Sequence, residues 1–141
     1  MGKKNYSIRE QLDLFGVHDM ARELANSAEW CEMGFSPTLA EYYRYAHKVV
    51  CDYMDMITKD KGYCDVESMI EGMLYAAYNE YKFYQREHFE HFAELAMVKY
   101  QTLNCLQMHI GSKRVVLGIP RLADPEKHKE EDVTSSTSNE P

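Results

Sequence analysis

Residues 66–110 read VESMIEGMLYAAYNEYKFYQREHFEHFAELAMVKYQTLNCLQMHI, forty-five positions without a proline. Val66, Ile70, Met73, Ala77, Tyr81, Tyr84, His88, Phe92, Leu95, Lys99, Leu103, Leu106 and Ile110 fall on one stripe, spaced 4,3,4 and repeating every eleven residues. An eleven-residue repeat is three turns of about 3.67 residues, which keeps a helix nearly straight or coils it slightly right-handed. The spacing therefore predicts one helix over 66–110, roughly 65 Å long at about 1.5 Å per residue. Gly72 inside it costs about 1 kcal/mol relative to alanine and marks close packing or a bend. A rod that long must lie along two shorter helices, pair with a second copy across a two-fold axis, or break.

Working outward, Asp65 is placed to cap this helix, and Lys59-Asp60-Lys61-Gly62 is a stop for the one before it. That preceding helix is expected over residues 37–60. It is opened by Ser36 as N-cap and Pro37 at the first helical position, and Thr38-x-x-Glu41 reinforces the start. Its apolar arc, Leu39, Tyr42, Tyr43, Ala46, Val49, Val50, Tyr53 and Ile57, spans about 180°, too wide for one neighbouring helix to cover. Residues 8–33 form the first helical region, opened by the capping-box spacing of Ser7 and Glu10. Gly16 separates a short turn from a longer stretch whose face holds Val17, Met20, Ala21, Leu24, Ala28 and Cys31. Beyond Gly111, residues 113–120 (KRVVLGIP) look like a short extended segment. The tail from Asp124 has the composition of disordered chain. The expected fold is all-α: residues 1–123 as one three- to four-helix antiparallel bundle with a very long third helix, then a disordered acidic tail, 124–141.

Composition limits the function classes. The net charge of −7 is concentrated in the tail, which holds six acids against Lys127 and Lys129, so residues 1–123 carry a net of about −3. Such a body has neither a basic face for nucleic acid nor enough carboxylate to imitate a duplex, which argues against direct nucleic-acid binding. No window approaches a membrane span and no signal-peptide apolar region follows the N-terminus. Cys31, Cys51, Cys64 and Cys105 are scattered, without a CxxC pair, as in a reducing compartment. A cytoplasmic protein that does not enter membranes is expected.

Two acidic constellations raise the possibility of metal chemistry. Glu87, His91 and Glu94 stand four and three residues apart, so on one helix they converge, with Glu80 and His88 nearby. The Glu-x-x-His signature of di-iron bundles is absent. Glu29-x-x-Glu32 followed by Asp52-x-x-Asp55 resembles the all-α nucleotide pyrophosphatases, which gather Mg²⁺ with Glu-x-x-Glu and Glu-x-x-Asp on consecutive helices; here Asp52 stands where that family has Glu. The resemblance covers four residues and implies a divalent-metal enzyme, using Mg²⁺ or Mn²⁺, that activates water against a phosphoanhydride or phosphoester. The contrary reading is that these acids solvate the backs of helices. No nucleophile elbow, phosphate-cradling glycine loop or framed Cys/His pair accompanies them.

The surplus of aromatic residues points elsewhere. Trp30 lies opposite the Val17–Cys31 face, and Tyr75, Tyr78, Phe83, Phe89 and Tyr100 lie off the main stripe. A single fold cannot easily bury the stripe and all of these. Aromatic side chains dominate the energetics of protein interfaces. The leading expectation is therefore a non-enzymatic interaction protein without a cofactor, acting as inhibitor, adaptor or assembly component. It would form a homo-oligomer and bind a larger protein through these six aromatics. Its overall character, rather than any motif, suggests an accessory protein of a phage or other mobile element.

Overall fold

The computed structural model describes residues 6–34, 36–60 and 64–121, and the described chain is helical without a strand. Five helices follow in order: α1 (Ile8–Leu14), α2 (Val17–Glu32), α3 (Pro37–Lys59), α4 (Val66–Arg86) and α5 (Glu90–Leu117). The stop at Lys61-Gly62 and the acidic tail lie outside the described residues.

Each expected helix start is closed by the expected side chain. Ser7 Oγ accepts from the Glu10 amide at 3.1 Å while Glu10 Oε1 accepts from the Ser7 amide at 2.8 Å. Ser36 Oγ accepts from the Leu39 amide at 3.2 Å, and Asp65 Oδ1 from the Ser68 amide at 2.6 Å. Each bond satisfies a helix N–H that would otherwise lack a partner. Gly16 separates α1 from α2 with φ +72°, and a Cβ there would stand 3.1 Å from His109 Nε2. Both the backbone angle and the closeness of α5 favour glycine.

The expected helix over 66–110 is two helices. The chain turns back at Glu87-His88-Phe89, where His88 takes φ +64°. The His88 amide donates to the Gln85 carbonyl and the Phe89 amide to the Tyr84 carbonyl, while the Tyr84 and Phe89 rings meet edge-on. This is a complete Schellman stop with its apolar contact, in which histidine occupies the place glycine usually takes. The stripe runs through that turn without a glycine or proline, which is why its spacing suggests no break. The extended reading of 113–120 is also corrected. Gly111 lies within α5, which continues to Leu117 and ends at Gly118 with φ +69° and the same pair of backbone bonds.

α4 and α5 form an antiparallel hairpin, joined by Glu67–Arg114 at one end, Glu80–Lys99 in the middle and Tyr84–Phe92 at the other. α2 and α3 form a second hairpin, linked by Glu32 and Arg44. The hairpins meet mainly where α3 lies along α5. α3 and α5 run in the same direction, since Tyr42 donates to Glu94 near their starts and Tyr53, near the end of α3, donates to the Val66 carbonyl at 2.9 Å. The wide arc of α3 is thus shared between α2 and α5.

The core lies at one end. Leu12, Phe15, Val17, Val49, Val50, Tyr53, Ile57, Val66, Ile70, Leu103, Leu106 and Ile110 are buried together. Next to them a polar clamp closes this base. Arg114 forms a two-pronged ion pair with Glu67, both side chains being buried, and donates to the Pro120 carbonyl at 2.8 Å and to Gln11 Oε1 at 3.2 Å. Its guanidinium also lies 4.7 Å from the centre of the Phe15 ring. Arg121 holds Asp65 at 2.9 Å and also donates to Ser68 Oγ at 3.0 Å.

Burial pushes the Asp65 carboxyl up, but the hydrogen bonds from Arg121 and Ser68 outweigh it and hold the group below the usual carboxylate range. A carboxylate whose pKa falls on folding stabilises the protein above the unfolded value of about 3.9, and that contribution is lost as pH drops through the folded value. Asp65→Asn is therefore expected to flatten the acid side of the stability profile below about pH 4, measured by urea unfolding at several pH values.

Candidate interaction surface

Opposite the base, the α4–α5 turn carries a cluster of aromatic rings that the core does not reach. Tyr84 is its centre, with the Phe83 and Phe92 rings each 5.5 Å away and Phe89 at 6.4 Å. Phe83, Phe89 and Phe92 remain 46, 51 and 54 % exposed. They stay in water because α4 and α5 at this end have little besides each other to pack on: the nearby start of α3 reaches α5 through polar contacts, Tyr42 to Glu94 at 2.8 Å and Glu41 to His91 at 3.7 Å. The Glu94 hydrogen bond, more than desolvation, holds the Tyr42 hydroxyl above its ordinary pKa.

The six aromatics expected to bind a partner fall in three places. Phe83 and Phe89 share the cluster at the turn. Tyr78 and Tyr100 meet on the α4–α5 hairpin with ring centres 6.0 Å apart, Lys82 lying over the Tyr78 ring, and Tyr75 is 72 % exposed one turn along α4. Trp30 is exposed near the end of α2. Phe92 belongs to the turn cluster as well, although its position on the apolar stripe suggests a core residue. The signal that distinguishes it is the change of chain direction at His88, which carries Phe92 past the end of the core.

Beside the cluster, a trench of about 790 Å³ runs along α5, lined among others by Tyr42, Tyr81, Gln85, His88, Glu94 and Met97. It continues into a gap of about 330 Å³ between α2, α3 and α5, where Met20, Leu24, Leu39 and Val98 make the walls largely apolar.

The acidic constellations do not come together. Among the described residues, no group of three or more His, Cys, Asp or Glu side chains is arranged to hold a metal ion. The turn at residues 87–89 removes the helical register that would align Glu87 with His91 and Glu94. Glu87 caps α4, His91 faces Glu41, and Glu94 accepts from Tyr42. Glu32 pairs with Arg44 and Asp52 with Lys48. Because Glu32 meets α3 at Arg44, it lies eight residues, about 12 Å, along that helix from Asp52, with Asp55 farther still. Burial raises the Cys51 thiol above its ordinary pKa, away from nucleophilic thiolate character. Among the described residues no helix is long and apolar enough to cross a membrane. No protein-family model, curated protein or solved structure matches the chain.

Proposed function

We propose that the chain is a cytoplasmic, non-enzymatic interaction protein that self-associates and engages a larger protein through its aromatic surfaces. It would act as inhibitor, adaptor or assembly component, in the manner of accessory proteins of phages and mobile elements. The observation that carries this reading is the grouping of Phe83, Phe89 and Phe92, each about half exposed, at a helix turn beyond the reach of the core. Exposed aromatic clusters of this size mark interaction sites more often than they decorate free surfaces. The trench beside the cluster is lined by Gln85, Glu90 and Glu94, which supports the reading of an aromatic centre with a polar rim.

The test is partner capture from a lysate of the source cell, using the immobilised chain and a Phe83→Ala/Phe89→Ala/Phe92→Ala variant. The wild type should retain a partner that the variant binds at least about thirtyfold more weakly, with equal thermal stability for the two. Equal retention by both would remove the aromatic turn from the interface.

A further inference from the structure

We propose that two copies of this chain exchange α5, the turn at residues 87–89 straightening so that residues 66–117 become one helix and each α5 packs against its partner's α4. This deepens the self-association proposed above and names its geometry.

Three observations converge on the turn. First, His88 holds φ +64° in a Schellman stop, whereas the same stop at the end of α5 uses Gly118. A side-chain-bearing residue is disfavoured there, and straightening the turn relieves it. Second, α5 starts without a side-chain cap: Phe89 occupies the N-cap position and supplies no hydrogen-bonding group. A continuous helix would supply carbonyl partners for those first N–H groups. Third, the apolar stripe is symmetric about His88. Tyr84 and Phe92 stand four residues to either side, Tyr81 and Leu95 seven, and the same spacing continues to Val66 and Ile110. Two straight copies crossing antiparallel at His88 therefore meet stripe on stripe. In the closed hairpin His88 and Phe92 are exposed stripe members; in the exchanged dimer both face the second copy. The remaining contacts, Glu67–Arg114 and Glu80–Lys99 among them, are preserved but made between chains. A short, strained hinge joining segments that otherwise keep all their contacts is the usual setting for such exchange.

The Glu80–Lys99 pair, 3.8 Å apart, makes the exchange measurable. Equal amounts of ¹⁴N- and ¹⁵N-labelled chain are unfolded, refolded together at high concentration and separated by size exclusion. The dimer is then treated with a carbodiimide, which links paired carboxylates and amines. About half of the linked Glu80–Lys99 peptides from the dimer are expected to carry one light and one heavy segment. His88→Gly, which relieves the closed turn and weakens the straight helix, should lower the dimerisation constant by about tenfold per hinge; His88→Ala should raise it. A dimer whose linked peptides are all of one isotope would keep self-association and overturn the exchange. Monomer alone, for the wild type and for a folded His88→Ala at high concentration, would overturn both.

Discussion

Arg114→Ala is expected to cost about 3–5 kcal/mol of unfolding free energy, the usual effect of removing one partner from a buried ion pair. Glu67 would keep a buried charge without its counterion, and the Pro120 carbonyl and Gln11 Oε1 would each lose a donor. For a domain stable by about 5–15 kcal/mol this is a large fraction, and it should lower Tm by roughly 10–20 °C. Arg114→Lys should recover only part of the loss, because an ammonium cannot reproduce the two-pronged contact. Replacing both Glu67 and Arg114 by Met should be milder than either charge removal alone, since it leaves no unpaired ion in the core. Urea unfolding of these three variants and of Glu67→Ala beside wild type measures the whole set.

Phe15→Ala is expected to have a comparable effect, about 3–5 kcal/mol, for a different reason. The ring is fully buried among Leu12, Val17, Tyr53 and their neighbours, and its removal leaves a cavity that the closely packed base cannot fill. The ring also lies against the Arg114 guanidinium. The Phe15→Ala/Arg114→Ala double variant should consequently lose about 1–2 kcal/mol less than the sum of the single losses. Strict additivity would show that the ring and the guanidinium act independently.

Much of the fold is legible in the sequence because helix starts are written locally. Ser7, Ser36-Pro37 and Asp65 each make the capping bond that their type and spacing announce. Gly16, with an apolar face on either side, is likewise a local signal. The break at His88 is not legible, because the stripe continues through it and the stop is made by backbone bonds under a histidine. The end of α5 is misread for a related reason. Gly111 has the residue type of a helix end but lies in open space within the helix, whereas Val115 and Val116, β-prone by type, are held helical by a segment that Arg114 anchors from inside. That anchor joins residues 47 positions apart in the chain, beyond the reach of any periodicity. The candidate surface is legible in part. Phe83 and Phe89 stand out as off-stripe aromatics, while Phe92 reaches the surface only because the chain turns before it.

The base clamp also bears on the order in which the chain acquires structure. α2–α3 and α4–α5 are hairpins of neighbouring segments, with contacts that close over short loops and form early. Gln11 and Arg114 are separated by 103 positions. During synthesis α1 can pack on α2, α3 and α4 as they emerge, but the clamp on Gln11 must wait until nearly the whole of α5 has left the ribosome. Nascent chains stopped short of residue 114 are expected to carry a folded α2–α3 pair whose base is left unclamped, and to be more sensitive to protease at their N-terminal segment than the complete fold.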